Sequence, residues 1–169
     1  MQQLTIFRIL TYILVPVALL FGFLDIFMLL MSLSGNPAML LIVFAMACFV
    51  IYVFASFKFL VQGIGNDRHC SSSLKDWIKV NAYGTLFISS MFLLNSSAAF
   101  FINDINLRQL LSDMIEQQPE ISGKISLDFF IQLFRIISAI MFFISLLTIT
   151  HVMFNFKLIK RYQHLFEKE

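Results

Sequence analysis

The sequence predicts an all-α, polytopic membrane protein: an antiparallel bundle of four transmembrane helices, with a short extracytoplasmic amphipathic helix between the third and fourth. Three observations predict it. The 169 residues are 59% hydrophobic and only 13% charged, with a mean hydropathy of +0.86, whereas a soluble domain carries about 25% charged residues. Four apolar runs each reach the roughly 20 residues that a helix needs to cross a bilayer core of about 30 Å. None of them alternates with a period of two, which argues against a membrane β-barrel.

The spans are expected at about 9–33, 38–57, 82–101 and 129–154, within one domain covering 1–169. The first apolar run is longer than a signal-peptide core, and no small-x-small cleavage site closes it, so an uncleaved span is expected. Pro16 predicts a kink in its inner half. The "GIG" of Gly63–Gly65 reads as a turn after the second span. "SSLKDW" offers Ser73 as a helix N-cap with Asp76 three residues later, a capping box ahead of the third span. In "NLRQLLSDMIEQQP", Leu107, Leu110, Leu111 and Met114 recur at helical spacing up to Pro119, which predicts the surface-lying amphipathic helix. The segment 155–169 reads as a cytoplasmic helical tail, with Phe154, Leu158, Tyr162 and Leu165 on one face. That face is expected either to lie near the lipid surface or to dock a partner or second copy.

Lysine and arginine set the orientation. Arg8, Lys58, Arg68, Lys75, Lys79, Lys157, Lys160, Arg161 and Lys168 fall on one side. The opposite side has an uncharged "SGNP" loop and a second loop with Arg108 and Lys124 against Asp104, Asp113, Glu116, Glu120 and Asp128. Both termini are therefore expected in the cytoplasm, in a plasma membrane or a bacterial inner membrane. Trp77, Lys75, Lys79, Lys157, Lys160 and Arg161 are placed as interface anchors at headgroup depth.

One aspartate interrupts "FGFLDIFMLL". An acid at mid-membrane costs about 2.5–3.5 kcal/mol on insertion scales, so Asp25 wants a partner. Arg135 is the only cation inside a span, and both residues lie about eight residues, roughly 12 Å, from the outer ends of their helices. Asp25 shares a face with Ala18 and Gly22, and Arg135 with Ser138 and Ser145, as closely packed membrane helices prefer. Asn95 and Gln132 fall at a similar depth. An intramembrane polar cluster of Asp25, Asn95, Gln132 and Arg135 is expected, either as a buried pair that fixes helix contacts or as a ligand site.

Chemistry is otherwise sparse. No catalytic, nucleotide or metal motif is recognisable, and no cofactor is expected. His69, His151 and His164 read as interfacial residues, since they do not converge with other ligands. Cys48 and Cys70 read as free thiols. No basic arm with interleaved aromatics points to nucleic acid. The expected partners are the lipid bilayer and a homo-oligomer or larger membrane complex. The expected role is a non-enzymatic accessory or scaffold subunit. The alternative is a small oligomeric transporter, channel or ligand sensor built on the Asp25 and Arg135 layer.

Overall fold

The computed structural model describes residues 2–34, 39–116 and 126–166, and among them every regular element is helical. There are five α-helices: α1 (Gln2–Ser34), α2 (Met39–Lys58), α3 (Ser72–Phe101), α4 (Asp104–Glu116) and α5 (Leu127–Arg161). A π-helical turn, Phe59–Gly65, continues α2, and a 3₁₀ turn, Gln163–Phe166, follows α5. Four of these helical stretches are long and apolar enough to cross a membrane. Of the expected SGNP loop, Ser34 ends α1, while Gly35, Asn36 and Pro37 lie outside the described residues, as do Pro119, Glu120, Lys124 and Lys168 and the side chains of Ser34, Met114 and Glu116.

The helices overrun the expected spans because hydropathy ends before the hydrogen-bond ladder does. α1 begins at Gln2 and α5 continues through Lys160 and Arg161. Two local expectations need correction. The cap of α3 is Ser71, whose Oγ accepts from the Leu74 amide at 3.3 Å; Ser73 lies already inside the helix. Gly63 and Gly65 belong to the π-helical turn, and the chain bends after them, where Asp67 adopts a left-handed φ of 49°. Aspartate visits that conformation more readily than most residues because its short polar side chain can hydrogen-bond locally. The amphipathic helix is present as α4, started by Asn103, whose side-chain oxygen accepts from the Ile105 amide. Leu107 and Leu111 are buried, while Leu110 is half-exposed.

The chain forms two compact units, Met1–Ser89 with Leu147–Glu169, and Ser90–Leu146. In the first, each helix contributes a stripe of buried residues at three- and four-residue spacing. Phe7, Leu14 and Ala18 come from α1, Phe49 and Val53 from α2, Ile78 and Ala82 from α3, and Val152 and Ile159 from α5. Such a stripe is the one face of a helix that meets its neighbours. The remaining faces are apolar and open: Phe23, Leu41 and Phe87 are each about 70% exposed or more. In the second unit, α4 is joined to α5 by Arg108–Asp128 at 2.7 Å and by Asp104 with Arg135. The Phe100 and Phe142 rings meet edge to face at 5.6 Å.

The expected helical tail is also corrected. After Arg161 the chain leaves the helical path and packs back on the first unit. Cys70 N donates to the Leu165 carbonyl at 2.7 Å, and the Phe166 ring lies 5.1 Å from Phe59. Leu158, Leu165 and Phe166 are all buried, so the tail's apolar side chains are covered by the protein itself.

Two predictions follow from this packing. A Cβ on Gly84 would sit 2.9 Å from Cys48 Sγ, whereas one on Gly22 would meet nothing nearer than Val50 at 3.5 Å. Gly84→Ala should therefore cost about 1–3 kcal/mol in a denaturant titration in detergent, while Gly22→Ala should be neutral or stabilising. Cys48→Ala should restore part of the Gly84→Ala loss. Separately, burial pushes the Cys70 thiol above the usual range, partly offset by the nearby Lys58 ammonium. Only the thiolate alkylates, so a raised value leaves less of it at any given pH. Cys70 should react with iodoacetamide more slowly than an exposed thiol at pH 8, and removal of residues 163–169 should accelerate it.

Candidate functional site

Among the fully buried polar groups of the first unit is the His151 imidazole, which has no exposed surface. Helical spacing along α5 puts Thr148, His151 and Asn155 on one buried face. Opposite them α1 contributes Thr11, and α2 contributes Tyr52 and Ser56, three and four residues after its buried Phe49 and Tyr52 respectively. All of these side chains are shielded from solvent.

Hydrogen bonds among them run in a single direction. Thr11 Oγ1 donates to the Phe7 carbonyl at 2.7 Å, so its oxygen is an acceptor for His151 Nε2, 2.9 Å away. That assigns the proton to Nε2 and leaves Nδ1 to accept from the Tyr52 hydroxyl at 2.7 Å. Asn155 Nδ2 in turn donates to Tyr52 Oη at 3.2 Å and to Ser56 Oγ at 2.6 Å. Phe7 stacks on the imidazole with centroids 4.6 Å apart and planes 15° apart. Asn155 Oδ1 has no hydrogen-bond partner among the described residues. Both imidazole nitrogens are engaged and no carboxylate or thiol joins the chain. Its chemistry is that of a lock between α1, α2 and α5, holding a neutral imidazole between two hydroxyls.

His151 is enclosed by the side chains of the first unit, which its reading as an interfacial residue did not anticipate. Its signal in the sequence is the polar repeat Thr148, His151, Asn155 within an apolar run.

The four residues of the expected intramembrane cluster are distributed over both units. Asp25 lies on α1 in the first unit, on the face of Ala18 and Gly22 that packs on α2. Its Oδ1 is buried and has no hydrogen-bond partner among the described residues. Asn95, Gln132 and Arg135 belong to the second unit, and all three are exposed. The Arg135 guanidinium binds Asp104 at the start of α4 and stays half-exposed. Gln132 and Arg135 share a notch of about 470 Å³ with Asp104, Arg108, Asp128 and Ile131. Two acids and two bases in that notch neutralise one another.

The expected interface anchors fall into different settings. Trp77 is exposed and flanks a shallow groove with Ser73, Asp76 and Val80. Lys157 lies over the Phe154 ring at 6.0 Å. Cys48 and Cys70 are free and buried. Among the described residues no three histidine, cysteine, aspartate or glutamate side chains converge as a metal site would require. The chain matches no protein-family model, no curated protein and no solved structure.

The His151 lock predicts a specific coupling. Tyr52→Phe removes the donor to Nδ1 and an acceptor for Asn155, and should cost about 1–3 kcal/mol, because buried groups are left unpaired. Thr11→Val should cost less, since half of its bonding is to its own helix. In a double-mutant cycle, Tyr52→Phe and His151→Phe should couple by at least about 0.5 kcal/mol.

Proposed function

We propose that the chain is a multi-pass integral membrane protein with both termini in the cytoplasm, in a plasma membrane or a bacterial inner membrane. Within it the chain serves as a non-enzymatic accessory subunit that binds a transmembrane helix of a partner. The apolar faces left open on the long helices support membrane residence, and the loop distribution of lysine and arginine supports the orientation.

The observation that carries the accessory role is Asp25. Its carboxyl sits in an apolar helix with one oxygen unsatisfied by the described chain. In lipid an unmet polar group costs several kcal/mol. Oδ1 itself is enclosed, but the Asp25 side chain as a whole is only partly buried, so a partner's donor is worth most at the open side of the carboxyl. Beside it on α1, Phe23, Ile26 and Phe27 are all more than half exposed and offer a partner helix its apolar contact. The tail does not compete for this role, because its apolar side chains are already covered.

A second reading is favoured by the charged notch holding Gln132 and Arg135. On that reading the protein is a small oligomeric transporter, channel or ligand sensor that uses Asp25 and Arg135 as its polar layer. Photocrosslinking amino acids at Phe23 and Ile26 separate the two. The accessory role predicts a discrete adduct with a different polypeptide, reduced about tenfold or more by Asp25→Leu, in line with the loss of one good interhelical polar contact. Adducts of the chain with itself support the oligomeric reading. Adducts unchanged by Asp25→Leu, or lipid adducts alone, overturn the accessory role.

A further inference from the structure

Three of the lysines that serve as interface anchors do not scatter around the helix ends but line one groove. Lys75 and Lys79 come from α3 and Lys160 from α5, and the groove, about 420 Å³, is completed by Tyr83, Phe156, Ile159 and Gln163. Among the described residues no carboxylate lines it. Asp76, the acid nearest in sequence, lines the separate groove beside Trp77. Neither Lys75, Lys79 nor Lys160 forms an ion pair among the described residues. Lys75 is positioned by the folded-back tail, with its ammonium 5.9 Å from the centre of the Phe166 ring. Three like charges held round one depression repel each other until an anion enters it.

The floor of the groove says which kind of anion. The Tyr83 and Phe156 rings meet at 5.8 Å, bridging the two helices just beyond the lysines. Along α3 the order Lys79, Tyr83, Phe87 repeats at four-residue spacing, so the three side chains stack along one helix face. Tyr83 and Phe87 are about two-thirds exposed. Along α5 the order Lys160, Phe156, Met153 runs the same way, and Met153 is also open. Both helices thus offer the same sequence of surfaces: cation, aromatic ring, apolar track. That order matches a phosphate, a glycerol ester region and an acyl chain, in turn. A small soluble anion would use the lysines and leave the aromatic floor and both tracks uncovered.

We propose that this groove is a binding site for one anionic phospholipid, its phosphate among Lys75, Lys79 and Lys160 and its acyl chains along Phe87 and Met153. Basic pockets between transmembrane helices at the cytoplasmic face take lipid headgroups in this manner. The inference rests on the membrane reading above, with the lysines on the cytoplasmic side.

The test is native mass spectrometry of the full chain, released from vesicles of phosphatidylglycerol mixed into phosphatidylcholine. Wild type should retain one phosphatidylglycerol in preference to phosphatidylcholine. The triple variant Lys75→Gln/Lys79→Gln/Lys160→Gln should bind it on the order of 100-fold more weakly, about fivefold per lysine. The variant Arg8→Gln/Lys157→Gln/Arg161→Gln, which loses the same charge elsewhere, should retain it. Equal loss in both variants, or no preference for the anionic lipid, overturns the proposal. So does inorganic phosphate bound with the same lysine dependence while lipid is not. A photoactivatable phosphatidylglycerol on wild type requires no variant to fold: adducts should map to 75–87 and 153–163, and adducts elsewhere overturn the site. If wild type fails to sediment with membranes at all, the membrane reading itself has failed. If it sediments without lipid selectivity, only the groove assignment has.

Discussion

The order of the first unit depends on one buried imidazole. His151 is the point at which α1, α2 and α5 are bonded to each other by side chains, through Thr11 and Tyr52. Much of the remaining contact in this unit is apolar, and apolar contacts between helices discriminate poorly between registers wherever the surroundings are as apolar as leucine. A donor and an acceptor that must meet across a gap of 2.7–2.9 Å do discriminate. A shift of one residue along any of the three helices would leave the imidazole, the phenol or the Asn155 amide unpaired where no water reaches. Register, more than net stability, is what such a network specifies.

Around that lock the fold divides its surfaces by the size of the side chains. At some of the close approaches between helices the contact includes a small residue, as at Gly84 against Cys48 and at Ala18 and Gly22 on the α2 side of α1. Where helices face outward, phenylalanine, leucine and isoleucine predominate. The 21 phenylalanines therefore split between two tasks: a few, such as Phe7 and Phe59, fill the interior, and many others are surface. Ordinary burial logic, with large apolar groups inside, is partly inverted.

That inversion explains what was legible in the sequence. The long helices were visible because apolar runs of this length leave little choice in lipid. Their ends were less so, because Gln2 and Arg161 are helical for hydrogen-bonding reasons that hydropathy does not register. The cap at Ser71 against Ser73 is a choice among three consecutive serines, which composition cannot make. Depth along a helix could be counted for Asp25 and Arg135, but rotation about it could not, and a one-residue turn of 100° separates a buried residue from an exposed one. The same blindness hid His151: near the end of an apolar run a histidine reads as interfacial, and only the positions of Thr11 and Tyr52 on other helices reveal that it is enclosed. The returning tail was hidden because Leu165 and Phe166 find their cover some 100 residues earlier, around Phe59 and Cys70.

The distance in sequence between the partners of the lock has a consequence for how the protein is made. Thr11 and His151 are 140 residues apart. At a synthesis rate of about 5–20 residues per second, α1 and α2 wait roughly 7–28 s after Thr11 is made before the third member of their contact exists. Thr11 can wait, because it bonds to the Phe7 carbonyl of its own helix. The Tyr52 hydroxyl has no such shelter. During that interval the first two helices form a pair with an exposed phenol and an open seam, the form in which a chaperone or a protease would meet them. The closing strokes are the arrival of His151 and then of Phe166, so the last part of the chain acts as the latch on the first.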